Sequence, residues 1–272
     1  MGAVLISAAE LRKELADNKI HLLDVRWALG DPNGPQHYLD GHIPGAVFVD
    51  LETELAAAPS PARGRHPLPD PGTFEKCARS WGLGDGESVV VYDATGAMAA
   101  ARAWWLLRWA GVDDVRILDG GLPAWVAAGG DLATGEEPDP TGGDLVVRPG
   151  GLPVIDADAA AKWPGVLLDA RAGERYRGEV EPIDPRPGHI PGAVSAPTAE
   201  NLDDTAHFRS PEELRARFAE FGDGPVAVYC GSGVTAAHQI AALAVVGIDA
   251  ALYPGSYSQW SNDPKRTVVT GE

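Results

Sequence analysis

Cysteine, basic charge and long apolar runs are what this sequence has least of. Cysteine occurs only at positions 77 and 230 in 272 residues. Two thiols so far apart form no metal-ligand spacing and no disulfide framework. The chain therefore suits a reducing compartment. Lys and Arg number 22 against 39 Asp and Glu, a formal net charge of −17. So acidic a surface excludes general nucleic-acid binding and binding to anionic membranes, which both need a basic face. It also repels small anions, so an anion site must be locally basic. The N-terminal run MGAVLISAAELRKELADN has no basic leader and no long apolar core, so neither a signal peptide nor a membrane span is expected there. A cytoplasmic location is the default.

What is present is a globular chain written twice. Hydrophobic residues make up 44%, enough for a real core, and the length fits two ordinary domains. HLLDVRW (21–27) matches VLLDARA (166–172), and GHIPGAV occurs at 41–47 and again at 188–194. SVVVYDATGAMAAARA (88–103) aligns with PVAVYCGSGVTAAHQI (225–240), and LDGGLPAW (118–125) with YPGSYSQW (253–260). Four segments in one order at similar separations mark a duplication. The expected domains are residues 1–130 and 152–272. The Gly-, Pro- and acid-rich stretch 131–151 is expected to be the linker between them.

Each copy alternates short apolar runs with helical patterns. In the first, residues 7–17 read as a helix opened by Ser7 with Glu10 three residues on, a capping box. Strands are expected at 20–25, 47–50, 89–92 and 115–118, and helices at 73–81, 99–110 and 122–128. Alternation of this kind implies an α/β fold with a parallel sheet covered by helices on both faces, once in each repeat.

The duplication acts as an internal control. Features in both copies serve the fold, and features in one copy are candidates for chemistry. His42 and His189 of the GHIPGA turns fall in the first class, as turn-fixing residues. So do the pairs Asp24/Arg26 and Asp169/Arg171, as structural ion pairs. The copies part at one loop. Cys230-Gly231-Ser232-Gly233-Val234-Thr235-Ala236 stands where the first copy has Asp93-Ala94-Thr95-Gly96-Ala97-Met98-Ala99. Cys230 ends a β-branched strand and precedes a Gly-rich loop and a helix former, residues 236–246. Loop N–H groups and a helix N-terminus favour negative charge there, as a nucleophilic thiolate requires. Thr235 is expected to cap the helix. Cys77, in FEKCARSW with no glycine loop, reads as a packing residue. The first copy is expected to be inert.

These motifs together resemble the two-domain sulfurtransferases of the rhodanese superfamily over essentially the whole chain. They are GHIPGA twice, LDAR followed by ERYRG, and the CGSGVTA loop. The resemblance implies two tandem rhodanese-like domains, the first catalytically inactive. It implies a persulfide on Cys230, held by the loop from Gly231 through Gly233, Val234, Thr235 and Ala236. Sulfur would come from a small anionic donor and pass to cyanide or a thiol such as a reduced thioredoxin, by ping-pong covalent catalysis with no cofactor or metal. The neutral Gly231-Ser232 pair is similar to the 3-mercaptopyruvate enzymes, whereas thiosulfate enzymes more often carry Arg and Lys there. Ser232 would donate to the donor's sulfur or carbonyl oxygen. Arg175 matches a substrate-binding arginine suited to bidentate carboxylate recognition. The family's second arginine, in an EPR motif, is here Ile183, so Arg186 is expected to substitute. Asp50, Glu52 and His66 match a segment that reaches the cleft in relatives. The active site is expected at the C-terminal ends of the second sheet's strands. Thiosulfate as donor and a non-enzymatic sulfur-carrier module are the alternatives. A related cell-cycle phosphatase is set aside because the loop is one residue shorter and lacks a closing arginine. A dinucleotide fold is set aside because only 36 residues follow Ala236, too few for the βα units it needs.

Overall fold

The computed structural model describes residues 3–17, 20–222 and 224–272, without the side chain of residue 17. Two compact units divide it. The first takes the chain up to Ala56, with Pro69–Leu152 and Asp204–His207; the second takes Ala57–Leu68, Pro153–Asp203 and Phe208–Glu272. The main break, between Leu152 and Pro153, falls where the second repeat is expected to begin, and the first unit takes in residues 131–151. Each unit borrows the stretch that follows GHIPGA in the other repeat.

In the first unit the elements are β1 (Leu5–Ile6), α1 (Ala8–Asp17), β2 (Ile20–Asp24), α2 (Gly34–Asp40), β3 (Val47–Phe48), α3 (Pro71–Ser80), β4 (Ser88–Tyr92), α4 (Ala100–Trp109), β5 (Val115–Leu118) and α5 (Gly121–Ala127). The strands form one parallel sheet in the order β1-β5-β4-β2-β3. Helix α1 starts as expected: Glu10 N–H donates to Ser7 Oγ at 3.3 Å while Glu10 Oε2 accepts from Ser7 N–H at 3.0 Å. Leu22, Val90 and Tyr92 turn to one side of the sheet and pack with Leu11, Ile43 and Trp125. The residues between them are buried too, as parallel strands covered on both faces must be.

In the second unit the elements are α6 (Ala157–Ala160), β6 (Val166–Asp169), α7 (Gly173–Arg177), β7 (Val194–Ser195), a 3-10 turn (Thr198–Asn201), α8 (Pro211–Ala219), β8 (Val226–Tyr229), α9 (Thr235–Val245), β9 (Ala250–Leu252) and α10 (Ser256–Asn262). The parallel order is β7-β6-β8-β9, and Val154 bridges Leu252 where β1 lies in the first unit. Strand for strand the sheet repeats the first. Leu167, Ala227, Tyr229, Ala251 and Tyr253 form its core with Ile190, Tyr257 and Trp260.

The duplicated residues do duplicated structural work. His42 stacks on Tyr38 with centroids 3.9 Å apart and pairs through Nδ1 with the Tyr38 carbonyl at 2.8 Å. His189 does the same with Tyr176, at 3.7 and 2.8 Å. Each tyrosine hydroxyl then donates to the carbonyl of the alanine that closes the turn, Ala46 or Ala193. Arg26 reaches Asp24 at 2.8 Å and Arg171 reaches Asp169 at 2.6 Å, all four side chains buried. These are the turn-fixing histidines and structural ion pairs read from the repeat.

Residues 131–151 are laid onto the first unit rather than spanning open solvent. Ala133 and His42 exchange backbone hydrogen bonds, and the N–H groups of Gly143, Leu145 and Arg148 donate to Arg79, Leu83 and Ala110 carbonyls. Leu145 is buried. Val269 and His189 exchange the same pair of bonds in the second unit. The run that reads as a linker by composition is thus the closing strap of the first repeat.

Candidate active site

Cys230 lies where β8 ends, at the C-terminal edge of the second sheet. It is 1% exposed. Its surroundings come from two turns. From the turn between β8 and α9, Gly233 N–H donates to Cys230 Sγ at 3.1 Å. Gly233 has φ +84°, and a Cβ there would lie 2.6 Å from the Pro254 carbonyl oxygen. No side chain fits on either count. From the turn between β9 and α10, Ser256 Oγ accepts the Cys230 N–H at 3.2 Å and donates to the Tyr253 carbonyl at 2.9 Å. Ser256 itself holds φ +52°, a conformation L-residues rarely adopt. Tyr257 and Ser258 N–H groups donate to the Cys230 and Gly231 carbonyls, both at 2.9 Å. The nucleophile loop is thereby fixed from below.

Among the described residues, the N–H groups of Ser232, Val234 and Ala236 have no hydrogen-bond acceptor. The first unit shows what such amides take. At the equivalent positions, Thr95 and Ala97 donate to Asp93 Oδ1 at 2.8 and 2.9 Å, and Ala99 donates to Oδ2 at 2.8 Å. Ala100 adds a fourth bond at 3.0 Å. In the first repeat, then, the loop's amides close on an internal carboxylate. In the second the loop carries a thiol in the carboxylate's place, and Gly233 N–H donates to it.

The borrowed segment 57–68 brings the rest. Gly64 packs with φ +89° against Gly255, Arg65 N–H donates to Ser258 Oγ at 3.1 Å, and Gln259 Nε2 donates to the Ala62 carbonyl at 2.6 Å. His66 is so placed that its Nδ1 pairs with Ser232 Oγ at 2.8 Å, both residues buried.

A ladder of alternating charge runs up to the loop. Arg171 pairs with Asp169 and, at 3.2 Å, with Glu181. Arg175 pairs with Glu181 at 2.6 Å and with Asp184 at 3.2 Å. Arg65 closes the ladder on Asp184. Burial alone would push the Glu181 carboxyl up, but hydrogen bonds from Arg175 and from the N–H groups of Asp184 and Ile183 outweigh it and hold Glu181 below its ordinary range. Burial wins at Asp184, which is raised despite the Arg65 charge.

The sequence-predicted residues thus divide. Cys230, Gly231, Ser232, Gly233, Val234, Arg175 and His66 come together in the second unit. Arg186 does not join them: its guanidinium donates to the carbonyls of Trp260, Ser261, Asp263 and Arg266 at 2.7–2.9 Å, closing the C-terminal end of α10. Thr235 is the first residue of α9 and not its cap; Val234 holds that position with no side-chain hydrogen bond. Asp50 and Glu52 fall in the first unit, where Glu52 accepts from Trp27 Nε1 at 2.7 Å and Asp50 Oδ1 accepts the Glu52 N–H at 2.8 Å. Cys77 is a half-buried residue of α3 whose thiol burial pushes up. Three residues that sequence reasoning did not single out are Arg65, Asp184 and Ser256. Arg65 had a signal, its place beside His66.

The rhodanese-like domain model matches the chain at residues 7–128 and again at 155–263. The chain belongs to the rhodanese family. It is a two-domain rhodanese sulfurtransferase, as its relatives are. SseB of Mycobacterium tuberculosis, which carries the name thiosulfate sulfurtransferase, is 47% identical over 99% of this rhodanese chain and 98% of its own. A Pseudomonas aeruginosa relative named for 3-mercaptopyruvate sulfurtransferase is 47% identical over 100% of this chain and 99% of its own. The crystal structure of SseA from Escherichia coli, described among the 3-mercaptopyruvate sulfotransferases, superposes with a TM-score of 0.82. It is 35% identical, with 94% of this chain and 99% of that one covered. Among the described residues no group of His, Cys, Asp and Glu could hold a metal ion, and no helix is long and apolar enough to cross a membrane.

Proposed function

We propose that the protein moves sulfur from 3-mercaptopyruvate to cyanide or a thiol through a persulfide on Cys230. The observation that carries this reading is the pairing of Ser232 with His66 in the loop that holds the Cys230 thiol. Cys230 as thiolate attacks the donor's thiol sulfur. An S–S bond forms and the C–S bond breaks, and its electron pair stays on carbon as the enolate of pyruvate. The enolate takes up one proton and leaves as pyruvate. No external oxidant or reductant is needed. Charge grows on the donor's carbonyl oxygen as that bond breaks, and a hydroxyl held by a histidine is the group to stabilise it. The outer sulfur, as an anion, sits among the N–H groups of Ser232, Val234 and Ala236. Cyanide then attacks it, giving thiocyanate and the Cys230 thiolate.

The first repeat's own loop has no part in this chemistry on our reading, since Asp93 fills it; that repeat's contribution is the segment 57–68, which carries His66. A dithiol such as a reduced thioredoxin is the acceptor we propose in the cell, with the cytoplasm as the compartment. Thiosulfate is the second reading, favoured by the name of the M. tuberculosis relative and by two arginines near the loop. Steady-state transfer to cyanide with each donor tests the choice. At least a tenfold higher kcat/KM for 3-mercaptopyruvate is expected. A preference for thiosulfate overturns the donor assignment, and transfer from neither donor overturns the enzyme reading.

A further inference from the structure

Arg186 is consumed by the end of α10. Arg65 is the cation that lies beside Arg175. A Cβ built on Gly231 would lie 2.9 Å from Arg65 Nη2 and 3.5 Å from Arg175 Nη1. Those are the ends of the two guanidiniums that the charge ladder does not use. Arg65 engages Asp184 through Nη1, and Arg175 engages Glu181 and Asp184 through Nε and Nη2. The acids lie behind, 2% and 1% exposed, while the arginine side chains are 28% and 18% exposed. Glu181 and Asp184 thus aim two cations at the space over Gly231, the residue that joins Cys230 to Ser232 in the chain.

We propose that Arg65 is the second cation of the donor subsite, and that with Arg175 it clamps the carboxylate of an α-keto thiol donor over Gly231. One carboxylate bridged by two planar guanidiniums is a geometry that a lysine cannot reproduce. It also supplies the local positive charge that a chain of net charge −17 must provide for an anionic donor. Glycine at 231 keeps that space open.

The proposal rests on the reading of Cys230 as a sulfur carrier, and two measurements separate their failures. In turnover, Arg65→Gln is expected to raise KM for 3-mercaptopyruvate more than tenfold while kcat changes less than threefold. Adding Ile183→Arg to Arg65→Gln is expected to recover most of the loss, which a purely structural role for Arg65 would not allow. In the absence of turnover, pyruvate binding to Cys230→Ser by calorimetry is expected to weaken at least tenfold when Arg65→Gln is added. Arg65→Lys serves as the second variant should glutamine unsettle Asp184, with the same direction expected. An unchanged KM in a folded Arg65 variant, alongside a raised KM in Arg175→Ala, overturns the proposal and leaves the sulfurtransferase reading standing. Equal pyruvate binding with and without Arg65 overturns it whatever the turnover assay shows.

Discussion

At the scale of single residues, the site is a thiol held by its own loop. Gly233 N–H reaches the sulfur at 3.1 Å. Cys230→Ser is expected to abolish sulfur transfer with less than about 1 kcal/mol lost in stability, since the swap is small and the loop amides still have a polar partner. Transfer assays beside a thermal melt check this; full activity in a folded variant would sink the mechanism. His66→Ala separates the donors. It leaves Ser232 without its partner at 2.8 Å, so kcat for 3-mercaptopyruvate is expected to fall by about 100-fold, the scale of a lost oxyanion donor. Transfer from thiosulfate, which develops no enolate, is expected to fall far less.

At the scale of elements, glycine and charge decide the loop's shape. Gly233→Ala places a methyl 2.6 Å from the Pro254 carbonyl oxygen at φ +84°. A loss of at least about 2 kcal/mol is expected from the clash and the strain together, read as a lower denaturant midpoint. The ladder through Glu181 carries a pH signature. Its carboxyl is depressed in the folded state, so its contribution is present above the unfolded value and is lost as pH falls through the folded one. The stability gap between the protein and Glu181→Gln is therefore expected to shrink as pH drops below the ordinary range of a glutamate carboxyl. Urea unfolding at a series of pH values measures it, and a gap that widens in acid would show that burial outweighs the arginines.

At the scale of the whole molecule, one loop was built twice and used in two ways. Asp93 accepts four N–H groups in the first unit. Asp93→Ala strips those donors of a charged acceptor and is expected to cost at least about 3 kcal/mol. Its Cys230 is still expected to load with sulfur. Intact-mass measurement after exposure to donor is expected to find one added sulfur per chain, and none in Cys230→Ser, although Cys77 remains. A second sulfur would mean that the first repeat or Cys77 carries sulfur as well.

The sequence by itself determined the repeat, the alternation that makes two parallel sheets, and the one loop at which the two copies part, where we propose the nucleophile. Each is a local signal: strand and helix periodicities, a capping box at Ser7, a glycine loop after Cys230. It also assigned the paired histidines to the fold, because duplication separates structure from chemistry. Only the tertiary structure decided which cations lie against the loop at Gly231. Arg186 and Arg65 read alike in sequence, each an arginine in a Pro- and Gly-rich run. One is spent on four carbonyls at the end of α10, and the other lies over Gly231. Where residues 57–68 and 131–151 belong was illegible for the same reason. Residues 57–68 join the second unit through Gly64, Arg65 and Gln259, and residues 131–151 close the first through backbone bonds. A contact between residues nearly two hundred positions apart leaves no trace in local periodicity, and such contacts complete the site.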